Sequence, residues 1–599
     1  MKQLQEAAKN TLEHLKQLQV ENRRWIGELS PSALSTATAI CALAIVDAKQ
    51  HSASIARGAQ WLANNVNEDG GWGDTPLSLS NISTTCLVWA AFCAAKQEEN
   101  YPELMANAEK WITHHAGGIS MENIATAIRK KYGKDKTFAI PILTMCTLSG
   151  RFGKDRKLWR RIMQLPFELA ALPHQFFSFL QLPVVSYALP ALIAIGQVRH
   201  HLCATRNPIT YVLRRLTVNK TLSKLRDIQP TTGGYLEAIP LTSFVAMSLA
   251  SYLSPKHPGY KVVEEGVRFL VESLREDGSW PIDINLTVWG TTLTINAAAI
   301  SHESFADFPN KDNTLEWILQ LQQKNIHPFT NALPGGWAWI DLSGGVPDAD
   351  DTPGALIALA NLAPENKQVI SAAQNGVVWL LDLQNRDGGI PTFCRGWGAL
   401  PFDRSTPDLT AHTLSAWSKW YPHVDNAVQK RIQIAMKKAL RYLEKNWRNG
   451  WIPLWFGNEH APRQENPVYG TARVLIALLD VKIYNVDKLI AQAKDYLLRA
   501  QNANGGWGGD CEVVPSIEET ALALHALAKL GCISSDNETQ KAIRDGEAWL
   551  LQATKNGTHF PVTPIGLYYA SLWYYELLYP IVFSLGAWQQ IREYRKAKH

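Results

Sequence analysis

The stretch YLLRAQNANGGWGGD, residues 496–510, is the clearest copy of a phrase that recurs along the chain: an aromatic followed by Leu or Ile, then a turn rich in Gly and Trp. Trp61-Leu62 precedes EDGGWGD, Phe269-Leu270 precedes EDGSW, Trp317-Ile318 precedes PGGWAW, Trp379-Leu380 precedes RDGGI, and Tyr442-Leu443 precedes NGW. Trp111-Ile112 and Trp549-Leu550 are degenerate copies. From 269 onward the leading aromatic returns at 317, 379, 442, 496 and 549, in steps of 48 to 63 residues, a recurrence that signifies one structural unit repeated. Between the turns run apolar, Ala-rich segments such as TATAICALAIV, GTARVLIALLD and TALALHALAKL, while β-alternation is scarce. Each unit therefore reads as an outer helix, a turn and an inner helix. The expected fold is all-α, with stacked helix pairs closing into α/α barrels or toroids whose inner-helix N-termini surround a central cavity. A linear solenoid has the same local pattern, so closure is an expectation for the structure to test.

A chain of 599 residues exceeds one ordinary core, and two large domains are expected. With 59 basic against 54 acidic residues and no basic tract, the surface offers nothing to nucleic acid. The eight cysteines lack CxxC spacing, which argues against a zinc cluster or a disulfide framework and fits a reducing compartment. Leu4, Leu12, Leu15 and Leu18 mark an amphipathic N-terminal helix with no signal-peptide core. Phe176 to Gly196 is uncharged and long enough to span a bilayer, but Gln181, Pro183 and Pro190 interrupt it. Buried helices or a monotopic apolar surface suit it better.

Asp348-Ala349-Asp350-Asp351 crowds three carboxyls immediately before an apolar helical run. Mutual repulsion and burial should raise at least one of their pKa values, keeping a carboxylic acid protonated near neutrality and able to donate its proton. Helix capping competes with this reading, since Thr352-Pro353 has the look of an N-cap followed by the first helical position, and the macrodipole there lowers carboxyl pKa values. Mg²⁺ binding is a further alternative for clustered carboxylates.

Gln384 and Gln501, together with the Gly-x-Trp phrases, resemble the QW repeats of the triterpene cyclases, the squalene-hopene and oxidosqualene cyclases. DADDT at 348–352 resembles their Asp-rich acid motif, and PGGWAW at 334–339, PDLTAH at 407–412 and NPVYGTA at 466–472 match further family segments in order. The likeness is strongest from about 260 to 530. It implies two α/α barrel domains, 25–287 and 288–599, with the N-terminal helix 1–24 packed on the second. It also implies an isomerase that protonates a terminal alkene of squalene or a similar linear polyprenoid and cyclises it through carbocations. Asp350 would be the acid, Asp348 and Asp351 its tuning neighbours, and His412 with Asp408 its support, the last two on one helix face at i, i+4. Trp289, Trp339, Phe393, Trp455, Tyr469 and Tyr575 match family cavity aromatics, whereas Trp72, Trp451 and Trp507 belong to the scaffold turns. Neither a metal nor a cofactor is implied. The family's lipid substrate implies a monotopic site on the cytoplasmic face of the membrane, with residues 166–216, including Arg214 and Arg215, as its surface, and is compatible with a homodimer.

Departures from the family pattern lie away from the acid. WIGELSPSALSTATA at 25–39 carries Ser35, Thr36 and Thr38 in place of acidic residues, Gly290 follows Trp289 where an Asp is expected, and the loop between Gly389 and Asp408 is short. Initiation is thus better specified than termination. The alternatives are a class II cyclase of a prenyl diphosphate, with Arg395 and Arg404 as head-group candidates, an α/α barrel glycosidase with paired carboxylates, and a non-catalytic lipid-binding repeat.

Overall fold

The computed structural model describes residues 2–132, 139–153, 155–172, 188–306, 308–328, 330–393, 395, 403–534, 536–568 and 571–598. Helix α1 (Lys2–Gln17) is followed by two rings of inner helices. In the first ring α2 (Ala33–Asp47), α3 (Ile82–Ala94), α4 (Ala139–Leu148), α5 (Leu189–Leu202) and α6 (Ile239–Ala250) pack in succession, and α6 returns to α2. In the second, α7 (Thr287–Ala298), α8 (Asp351–Leu362), α9 (Pro407–Trp420), α10 (Pro467–Leu478), α11 (Ile517–Gly531) and α12 (Leu578–Lys598) do the same, with α12 against α7. Both rings are closed, which settles the choice between toroid and solenoid. The fold is two α/α toroids.

Burial pattern separates the two helix layers. In α3 every residue from Ile82 to Phe92 is buried, as expected of a helix apolar on all sides. The outer helix Lys261–Glu272 buries only Val262, Val263, Gly266, Val267, Phe269 and Leu270, a single face.

A repeated clamp ties the layers together. The backbone N–H that ends each turn donates to a threonine hydroxyl near the start of an inner helix, at 2.9 to 3.1 Å: Trp72 to Thr85, Tyr235 to Thr242, Trp337 to Thr352, Ile390 to Thr410, Trp451 to Thr471 and Trp507 to Thr520. Two further copies close the rings. Trp280 reaches back to Thr36 on α2, and Trp25, ahead of the first ring, reaches Thr291 on α7. The indole N–H of Trp25, Trp72, Trp280 and Trp507 donates to the carbonyl ten residues earlier, at 2.7 to 2.9 Å. Each of these indoles is fully buried. Burying ~150–250 Å² of ring at about 25 cal/mol per Å² contributes roughly 4–6 kcal/mol, against about 1 kcal/mol net for the hydrogen bond. Burial therefore holds the turn and the hydrogen bonds orient it.

The repeat glutamines stitch neighbouring units. Gln384 donates to the carbonyls of Gly388 and Ala435, and Gln501 to those of Gly505 and Ala542. Gln229 and Gln322 do likewise. Gly388 and Gly505 adopt φ of +96° and +94°, and a Cβ on either would stand 2.4 Å from a carbonyl of the next outer helix.

Short strands and α1 complete the frame. β1 (Pro31–Ser32) pairs antiparallel with β2 (Trp280–Pro281), and β3 (Gly566–Tyr568) with β4 (Leu572–Tyr574). Helix α1 packs on α12 and on the outer helix Asn537–Ala553. At Gly290 a Cβ would stand 2.9 Å from a terminal methyl of Leu578, which would have to shift, and 3.4 Å from the Trp25 carbonyl. Of the apolar stretch 176–196, residues up to 187 lie outside the described set, and 189–196 are largely buried within α5.

Replacing Thr36 by Val removes the acceptor that closes the first ring while keeping the side-chain shape. Urea unfolding should show a loss of about 1–3 kcal/mol, the cost of an unsatisfied buried N–H, with Thr36→Ser retaining most of the stability. Equal stability of Thr36→Val and the parent would remove the clamp from the account.

Candidate active site

The clamp dictates where the acidic segment falls. Helix α8 begins at Asp351, so Thr352 sits inside its first turn, not at the N-cap, because its hydroxyl must accept the Trp337 N–H. Capping passes to Asp348, whose carboxylate accepts the N–H groups of Asp350 and Asp351, both at 2.8 Å. The Asp348 N–H donates to Trp337 and the Ala349 N–H to Thr392, which pins the segment from two sides. Asp348 and Asp351 are buried, while the Asp350 side chain keeps 21% of its surface accessible.

Electrostatics then divide the carboxyls. Burial pushes the Asp351 carboxyl well above its ordinary value, and the charges of Asp348 and Asp350 push it further. Burial also raises Asp348 to about 7, although the backbone N–H groups it caps pull the other way. The two are hydrogen-bonded and coupled: burial keeps Asp351 in its acid form near neutrality, and Asp348 is the member of the pair that titrates there. One oxygen of Asp351 is buried with no hydrogen-bond partner among the described residues, an environment that disfavours the carboxylate.

His412 projects from the second turn of α9, its Nδ1 3.2 Å from Asp350 Oδ1. Burial pulls the imidazole pKa down, the hydrogen bond to Asp350 pulls it up, and the charge of Arg473 opposes the imidazolium. The family resemblance pairs His412 with Asp408 as support for the acid. In the structure burial favours the neutral ring, and the Asp408 carboxylate accepts the Thr406 hydroxyl and the N–H groups of Leu409 and Leu454. Asp408 therefore acts on the site as a charge neighbour, itself raised to about 7 by burial and then by Asp350.

Most of the expected aromatics converge here. Trp289 meets the His412 ring edge-on at 5.9 Å, and its indole donates to Tyr579, which shares a 2.9 Å hydroxyl contact with Tyr574. Tyr469 stacks on Phe456 at 4.0 Å. Trp339 meets Phe393 at 6.3 Å, and Trp455 donates to Thr392, whose carbonyl holds Ala349. Tyr575 does not join them: its backbone pairs with Ser30, and Arg275, Glu28 and Asp277 are the charges around it. Tyr574, one residue earlier on β4, is buried and feels the charges of Asp350 and Asp351, because successive strand residues point to opposite faces.

Four residues were not singled out from sequence: Tyr574, Tyr579, Asp283 and Glu237. Asp283 is wholly buried and accepts from the Tyr568 hydroxyl at 2.7 Å and the Trp339 indole at 3.2 Å; burial pushes its carboxyl well above the usual range. Burial also takes Glu237 to about 7. The available signal for Asp283 was its place three residues after the turn residue Trp280. Among the described residues no group of three or more His, Cys, Asp and Glu is placed to hold a metal ion. What the arrangement can do is hold a protonated carboxyl, Asp351, among aromatic side chains, with Asp350 the accessible carboxyl beside it.

Comparisons with known proteins give the family and the fold. The family model "Squalene-hopene cyclase C-terminal domain" matches residues 285–592, and "Squalene-hopene cyclase N-terminal domain" matches 8–145. The chain is 24% identical to the squalene hopane cyclase of Aspergillus fumigatus, over 87% of this chain and 81% of that protein. It is 26% identical to the squalene-hopene cyclase of Bradyrhizobium diazoefficiens, over 53% of this chain and half of that one. In fold it matches ent-copalyl diphosphate synthase from Streptomyces platensis with a TM-score of 0.54, at 16% identity, covering 99% of this chain and 100% of that one. On the extent of the family match, the chain belongs to the squalene-hopene cyclase family and is a class II terpene cyclase.

Proposed function

We propose that this cyclase protonates a terminal alkene of squalene or a similar linear polyprenoid at Asp350 and folds the resulting cation into a polycyclic triterpene. The observation that carries the reading is the division of the carboxyls. Asp350 alone of the three aspartates keeps accessible surface, it touches His412, and Asp348 and Asp351 are buried behind it with a proton to share. A carbon-carbon double bond is a weak base, so the acid must act where water does not compete. Once formed, the cation is stabilised by ring faces without being trapped, the role given to Trp289, Trp339, Phe393, Trp455 and Tyr469, with Tyr574 and Tyr579 replacing Tyr575. Arg395 and Arg404, the candidates for a diphosphate head group, are exposed on their loop, which supports a substrate without that group.

A lipid substrate also calls for a route from the bilayer. The helix Pro208–Ile228 exposes Ile209, Val212, Leu213 and Leu216, one stripe at i, i+3, i+4 and i+7, and Leu169 and Leu172 are exposed just before the undescribed segment 173–187. Among the described residues no helix is long and apolar enough to cross a membrane, so the stripe supports attachment in the interfacial plane. Arg214 does not serve this surface, being buried against Glu168 at 3.0 Å, whereas Arg215 stays exposed.

Detergent-solubilised protein incubated with squalene should yield cyclised isomers by mass spectrometry, and Asp350→Asn should lose about 10²–10⁴-fold in turnover. Turnover should also fall as pH rises past about 7, where Asp348 loses its proton and places a carboxylate beside the acid segment, while Asp351 stays protonated. Conversion of geranylgeranyl diphosphate with none of squalene would overturn the substrate, and full activity of Asp350→Asn would overturn the acid. For the membrane surface, the double variant Ile209→Ser, Leu216→Ser should float with lipid vesicles at least several-fold less than the parent. Undiminished flotation would remove this stripe as the contact.

A further inference from the structure

The bore of the second ring holds charge that alkene protonation does not use. Behind His412 a cavity of about 350 Å³ is lined by all six helices α7 to α12, toward the ends opposite the acid. Three adjacent elements put cations on its wall: Lys419 from α9, Arg473 from α10 and Lys529 from α11. A single carboxylate on that wall, Asp480, is already taken. Lys529 stands 2.6 Å from one of its oxygens, and the Ser415 hydroxyl donates to the other at 2.9 Å.

The other two cations have no ion pair of their own among the described residues. Lys419 donates to the amide oxygen of Asn361 at 3.3 Å and feels Asp480 only as a more distant charge, which burial and Lys529 outweigh in lowering its pKa. Among the described residues the Arg473 guanidinium has neither a hydrogen bond nor an ion pair. Arginine cannot shed its charge, and a part-buried guanidinium facing a cavity is stabilised by an anion opposite it. Its planar fork fits a tetrahedral oxyanion through two parallel N–H bonds, with a lysine as a second point of charge. His525 on the same wall adds no charge of its own, since burial, followed by Lys529 and Arg473, holds its pKa down to about 3.

We propose that the bore is a binding site for a small oxyanion of the phosphate class, gripped by Arg473 and Lys419. The same chemistry is carried by free inorganic phosphate and by the head group of a prenyl diphosphate. An anion there also offsets the Arg473 charge that opposes the His412 imidazolium, so occupancy is felt at the proton donor. That consequence rests on Asp350 being the acid, whereas the binding does not.

Thermal unfolding and titration calorimetry on the full chain, with sodium phosphate against sodium chloride at matched ionic strength, test the site. Phosphate should raise the Tm saturably, and Arg473→Gln should weaken the affinity about tenfold. Lys419→Gln, a change at an exposed position, should weaken it several-fold even if the arginine variant fails to fold. A Tm that responds equally to both salts, or a lysine variant that binds as the parent does, would overturn the proposal. Competition between geranylgeranyl diphosphate and phosphate would extend the site to a head group, and independent binding of the two would assign it to the free anion.

Discussion

The hydrogen bond from a turn N–H to a threonine on an inner helix is the constraint on which the rest of this molecule depends. It fixes how far each turn inserts and which residue of the inner helix stands at the level of the turn. Repeated from unit to unit, it holds the starts of α7 to α11 at one end of the second ring, where Trp289, Asp350, Asp408 and Tyr469 are found. At Thr36 and Thr291 it spans more than two hundred residues to close each ring. At Thr352 it places Asp348, and not Thr352, at the helix start.

The chemistry follows from that register. Two opposing influences act on the acidic segment: the backbone N–H groups at the start of α8 favour carboxylates, while burial favours carboxylic acids. At Asp348 both are strong and burial prevails, whereas at Asp351, which lacks the capping bonds, burial is nearly unopposed. One short segment thereby holds a capping carboxyl that titrates near neutrality, a neighbour kept in its acid form and, on its accessible side, the group that meets His412. The far end of the same bore carries cations in excess, Lys419, Arg473 and Lys529 against Asp480.

Much of this was legible in sequence because the repeat is written in residues with few alternatives. Gly-Trp turns, spaced glutamines and all-apolar inner helices specify the α/α unit, and the acid segment with PDLTAH names Asp350 and His412. Closure was less visible, although Leu15 and Trp25 carry the same ten-residue offset as Leu62 and Trp72 or Leu497 and Trp507. Three-dimensional facts decided the remainder. Tyr574 and Tyr575 are adjacent and chemically identical, and only the strand face tells them apart. Asp408 and His412 share a helix face, yet their partners lie on different segments. Asp283 reads as a turn residue until the indole of Trp339 and the hydroxyl of Tyr568 are found on it.

The central claim is that a solvent-exchangeable proton from Asp350 becomes a carbon-bound hydrogen of the product. Cyclisation of squalene in D₂O, followed by mass spectrometry and NMR of the purified lipid, tests it most directly. The account predicts one deuterium on the ring methylene formed from the CH of the terminal alkene. A cyclised product with no carbon-bound deuterium would contradict it.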